Sequence, residues 1–119
     1  MTPVVTEAEP GDVERAVAVM LLAFGADPIS RWAHPDAHQY VTYFPAIVRA
    51  FGGNAFAKGT AYQADRWAGA ALWLPPGVSP DEEALIAITQ ASVPSERHAE
   101  VFGVFEQMGI PTSRTGTCR

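Results

Sequence analysis

The stretch WAGAALWLPPGVSPDEE, Trp67 to Glu83, decides how the rest of the chain is read. Ala68 to Leu74 is dense in apolar residues and has the length of a buried strand. Pro75 and Pro76 stop it, because neither can donate a ladder hydrogen bond. Gly77 turns the chain. Ser79 then stands as a helix cap, Pro80 at the first helical position, and Glu82 as the far half of an S-x-x-E capping box. A strand this apolar is expected to be covered on both faces, inside a mixed, mainly antiparallel sheet with flanking helices. The fold class is α+β. Few residues after Leu74 read as strand, so the sheet is expected to lack its C-terminal part.

The chain has 119 residues, enough for one domain that buries about two-thirds of its unfolded surface. Hydrophobic residues make up 48% and charged residues 18%, the balance of a folded core rather than a disordered chain. The net charge is −5, and the eight basic residues never cluster. Such a chain does not attract nucleic acid or an anionic membrane. Cys118 is the single cysteine, which excludes a disulfide framework and suits a reducing cytoplasm. Glu7, Glu9 and Asp12 stand where a signal peptide would need basic residues, and Ala16 to Phe24 is too short to span a bilayer. The expectation is a cytoplasmic protein.

Val4 to Ala8 reads as a short first strand. Pro10 opens a helix, with Asp12 and Glu14 complementing its dipole. Val13, Ala16, Val17, Met20, Leu21 and Phe24 follow helical spacing, and Gly25 ends the run. Val19 and Leu22 widen the apolar stripe, so this helix is expected to be buried on more than one side. Asp27 to His34 reads as a loop. Pro35 and Asp36 open a second helix with Tyr40, Phe44, Ile47, Val48 and Phe51 on one face, kinked or broken at Pro45 and ended by Gly52 and Gly53. Ala55 to Ala64 reads weakly as strand, and Asp65 and Arg66 turn it into the strong strand as an antiparallel hairpin. Helices follow over 80–91 and from Pro94, the latter with Val101, Phe102, Phe105 and Met108 in register. Gly109 to Arg119 has no period and too little apolar surface to order itself, so it is expected to be a disordered, non-native tail.

Four groups of residues in this order carry a resemblance: D-V-x-R-A-V (Asp12 to Val17), A-F-x-x-D-P (Ala23 to Pro28), Pro35-Asp36, and W-x-x-P (Trp73 to Pro76). With the order strand, helix, loop, helix, hairpin, the chain resembles the N-terminal region of the GNAT N-acetyltransferase superfamily, in its puromycin N-acetyltransferase-like branch. Residues 3–108 are covered. The resemblance implies an acyl-CoA N-acyltransferase fold and acetyl transfer from acetyl-CoA to a small-molecule primary amine. The acetyl-CoA site of that family lies where a strand meets a helix carrying R/Q-x-x-G-x-G/A, whose glycines let backbone N–H groups approach the pyrophosphate. No such signature is read in this chain; the nearest glycine-rich spots, Gly52-Gly53 and Gly116, lack the preceding strand and the following helix. The resemblance therefore implies the acceptor-side half over residues 1–108, truncated and inactive by itself, with no cofactor-binding residues.

In the resembled fold the loop holding Asp27, Arg31 and Trp32 lines the acceptor-amine site. An indole beside a carboxylate suits an amine through stacking and charge pairing. The alternative is a solvated turn with an Arg31–Asp27 pair and a packing Trp. Trp73, near the same cleft, is a further substrate candidate or simply a packed strand residue. Tyr40 and Tyr43, three apart, are expected to face one groove, with Tyr40 lining the amine site. His34, Asp36 and His38 form H-x-D-x-H, but the helix start at Pro35 splits the pair and no third ligand is evident, so no metal is expected. Asp81, Glu82 and Glu83 are explained by capping and dipole chemistry. His98 reads as exposed. No catalytic residue is assigned. Two further readings compete: a homodimer, or assembly with a complementary C-terminal half, through the unpaired edge of the last strand, and a ligand-binding half-domain using Trp32, Tyr40 and Trp73.

Overall fold

The computed structural model describes residues 2–109. In chain order it comprises β1 (Val5–Glu7), α1 (Val13–Ala23), α2 (Pro28–Ala33), α3 (Ala37–Gly52), α4 (Asn54–Ala57), β2 (Ala61–Ala64), β3 (Gly69–Leu72), α5 (Glu82–Ser92) and α6 (His98–Gln107). Single 3₁₀ turns at Pro10–Asp12 and Ser95–Arg97 lead into α1 and α6. The three strands form one antiparallel sheet in the order β1-β2-β3, with Thr6 opposite Gln63 and Tyr62 opposite Ala71. The fold is α+β, a small antiparallel sheet with flanking helices.

Aspartates set three helix starts. Asp27 caps α2 by accepting from Ser30 N–H, Asp36 caps α3 by accepting from Gln39 N–H, and Asp81 caps α5 by accepting from Ala84 N–H. Each satisfies one backbone donor that the first turn leaves unpaired. The cap at Asp81 corrects the Ser79 capping box. Asp81 also donates its N–H to Ala50 O at 2.8 Å, which fixes the helix start against the end of α3. Ser79 gives its carbonyl to Asn54 Nδ2 instead. The expected loop over 27–34 is largely the short helix α2, and the expected strand from Ala55 begins as helix α4; Gly59, at φ +71°, separates that helix from β2. Pro45 does not break α3. The carbonyl it leaves without its helical donor is that of Val41, an exposed residue.

The strand that opened the sequence reading is shorter than expected and lies at the sheet edge. None of Gly69 to Leu72 is fully buried. Its apolar letters are mostly Gly and Ala, which bring little surface to cover. Leu72 is its one large side chain, and it joins two core clusters, one with Ala8, Ala16, Phe56 and Ala61, the other with Val17, Tyr40, Phe44 and Val48. Gly52 makes that junction possible: a Cβ there would stand 2.9 Å from Leu72 Cβ. A third cluster joins Ala50 to the fully buried Leu85, so α3 packs against α5. Trp73, the next residue on the alternating strand, is 64% exposed. The expected tail lies, apart from Gly109, outside the described residues, as does Cys118.

Candidate functional site

The segment from Gly25 to Pro35 is a corner folded around one guanidinium. Arg31 Nη1 donates to Gly25 O at 3.0 Å, Nη2 to Pro35 O at 2.9 Å, and Nε to His34 O at 3.3 Å. The rigid fork of arginine suits this, because it can serve several carbonyls from one plane. The same guanidinium lies 5.3 Å from the centre of the Tyr40 ring. Tyr40 is buried and donates its hydroxyl to Leu21 O at 2.7 Å. Burial raises the phenol above its ordinary value, Arg31 offsets part of that, and Asp27 adds to it. Asp27, Arg31 and Tyr40 therefore stand together, with Asp27 on the α2 cap and the other two holding the corner closed.

Trp32 projects from the corner, 38% exposed. Arg97 covers its ring at 5.1 Å and donates from Nη2 to its carbonyl at 2.9 Å. Trp73 stands apart: among the described residues no hydrogen bond or ring contact joins it to Asp27, Arg31, Trp32 or Tyr40. Its backbone pairs with Thr60, N–H to O at 3.1 Å and O from Thr60 Oγ1 at 2.6 Å. Tyr43 lies one step around α3 from Tyr40. Three residues on a helix are about 60° short of a full turn, and Tyr43 uses that angle to stack on His34 at 6.2 Å.

The histidines fall into different surroundings. His34 is 4% exposed and hydrogen-bonded through Nε2 to Ser92 Oγ at 2.7 Å. His38 is exposed. His98, expected to be exposed, is half-buried; its Nε2 donates to Val93 O at 2.7 Å and its ring meets Phe102 edge-on. Among the described residues no group of three His, Cys, Asp or Glu side chains could hold a metal ion.

A groove of about 450 Å³ opens between α1 and the β2–β3 hairpin, lined by Val19, Met20, Leu22 and Phe24 on one side and by Trp67 to Ala70 on the other. No charged residue lines it, and none of the five expected site residues does either. Its signal in the sequence was the widened stripe of α1. Leu22 is 83% exposed, so that side of α1 is an open lip rather than a second buried face.

The letters R-W-A-G-A-A, Arg66 to Ala71, do satisfy the R/Q-x-x-G-x-G/A spacing, which corrects the expectation that the chain lacks it. They occupy the hairpin turn and β3, with Asp65, Arg66 and Trp67 all at positive φ. No helix N-terminus follows them, so they build no backbone cradle for an anion.

No family model, no curated protein and no solved structure matches the chain. Among the described residues no helix is long and apolar enough to cross a membrane.

Proposed function

We propose that the chain carries the acceptor side of an acetyl-CoA-dependent N-acetyltransferase of the GNAT type. The observation that supports the reading is order: strand, helix, short helix, helix and antiparallel hairpin follow one another, and the four sequence groups that carry the resemblance lie within or beside these elements. In the reaction the lone pair of a neutral primary amine attacks the thioester carbonyl. The C–N bond forms, the C–S bond breaks, a general base takes the amine proton, and the departing thiolate is protonated. This chain would supply amine recognition: Asp27 as the charge partner and Trp32 as the stacking face, carried on the corner that Arg31 and Tyr40 hold in shape. The cofactor cradle is not among its contributions. A primary-amine titration read on the Trp32 indole N–H tests the reading; a saturable shift is expected, and an unmoved resonance would remove it.

A second reading rests on the free edge of β3. Trp73 N–H bonds to Thr60 O, so Gly69, Ala71 and Trp73 face β2, and the N–H and C=O groups of Ala70 and Leu72 point to the open edge. Gly69, Ala70 and Ala71 are small enough to let a second backbone approach. The occupant is a second copy of the chain pairing β3 against β3. Sedimentation equilibrium at micromolar concentration is expected to give a dimer under this reading, and a soluble monomer would refute it.

A further inference from the structure

Two hydrogen bonds between residues 58 and 65 apart in sequence close one corner of the molecule. His34 joins Ser92 at the end of α5, and Arg97, in the turn before α6, joins the carbonyl of Trp32. The first lies inside: His34 and Ser92 are 4% and 8% exposed. The second lies over it, with the Arg97 guanidinium against the Trp32 ring and its Nε on Glu100 at 2.8 Å. Together they dock the α2–α3 junction onto the α5–α6 corner.

We propose that His34, Ser92 and Arg97 form an acid-sensitive latch: neutral His34 holds the α2–α3 junction against the α5–α6 corner, and protonation of His34 releases it. The surroundings receive an imidazolium poorly. From α2, Arg31 donates to the carbonyl of His34 itself. From α3, Tyr43 stacks on the ring. From α5 comes only the neutral hydroxyl of Ser92. From the turn before α6 comes Arg97, a second cation. Two carboxylates of this corner already have partners, Glu100 with Arg97 and Asp36 as the α3 cap, and Glu96, in the turn before α6, is exposed. A charged ring would stand near the Arg97 guanidinium in a dry site, and a buried cation without a carboxylate is costly.

The direction of the pH effect follows from the surroundings. Burial first, and the Arg97 charge second, push His34 below its ordinary value of 6.5. An undocked His34 regains that ordinary value and so binds its proton at higher pH than the docked one. Docking is fully present above about pH 6.5 and weakens as pH falls toward the docked value. One proton per opening allows at most about a tenfold change per pH unit in that window. Release frees the segment that carries Asp27, Arg31 and Trp32, but the latch holds or fails whatever chemistry that segment performs.

Native-state amide exchange tests it. Below pH 6.5 the protection factor of the Val93 N–H, bonded to Thr89 O, is expected to fall by up to about tenfold per unit, while the Ala8 and Trp73 amides, bonded to Ala61 O and Thr60 O, keep theirs. His34→Gln keeps a hydrogen-bonding side chain for Ser92 but cannot titrate, and is expected to abolish the fall. An equal fall in the sheet amides, or an unchanged fall in His34→Gln, would overturn the latch. The His34 ring resonances of the wild-type chain give a reading that needs no variant. They are expected to stay in the neutral form at pH values where a free imidazole reference in the same buffer is half-protonated, and titration of the His34 ring together with that reference would also overturn the latch.

Discussion

Arg31 serves three carbonyls of one corner, and its stability role can be tested apart from any substrate. Arg31→Ala removes these partly exposed, charge-assisted bonds and is expected to lower stability by about 2 kcal/mol in urea unfolding. A loss within a few tenths would mean that the corner is not held by this side chain. The sequence offered Asp27, Arg31 and Trp32 as one loop and Tyr40 as a groove partner of Trp32 and Trp73; in the structure Tyr40 lies against Arg31. The sequence did not disclose their bonds, because a carbonyl acceptor such as that of Gly25 or Leu21 is supplied by every residue type and leaves no letter to read. The role of Asp27 did have a letter. Asp27-Pro28 is a cap followed by proline at the first helical position, the same signature that was sought at Ser79-Pro80.

Competition between neighbouring signals explains where the elements moved. Ser79 and Asp81 both flank Pro80, and either can cap a helix. The bond from Asp81 N–H to Ala50 O, made across the molecule, decides for Asp81. Asp81→Ala is expected to cost about 1 kcal/mol in thermal or urea unfolding, while Ser79→Ala changes stability by no more than a few tenths. The reverse order would restore the Ser79 box. The helix spacing of α1 and α3 was legible because six and five apolar residues respectively repeat at the right interval. Ala55 to Ala57 was not, since a four-residue helix has no period to display and its start depends on how α3 ends. The strand at Gly69 was legible as a strand, and as an edge from the few strand-like residues after Leu74, but not as only partly buried. Composition reports how many residues are apolar, whereas coverage depends on side-chain size and on which strand lies beside it.

At the scale of the whole molecule, three helices and a three-stranded sheet meet at Leu72, with α5 and α6 added through Leu85 and the His34–Ser92 corner. This arrangement leaves two features open: the edge of β3 and the groove beside α1. The groove was the least legible part of the molecule. Its walls come from residues more than forty positions apart, and each wall alone reads as an ordinary core stripe. The corner bearing Asp27 and Trp32 was legible because its parts are adjacent in sequence, and it is where the proposed amine recognition is localised.

The central claim, that this corner receives a primary amine, is tested most directly by two-dimensional ¹H–¹⁵N NMR titration of the intact chain. Primary amines are expected to shift the Trp32 indole N–H and the 27–35 amides saturably, while acetyl-CoA leaves the spectrum unchanged and is not consumed. Asp27→Asn keeps a capping side chain but loses the charge, and should weaken the amine by about threefold, the size of one exposed charge pair. Amines that leave Trp32 unmoved, or acetyl-CoA turned over by this chain above a protein-free control, would contradict the account.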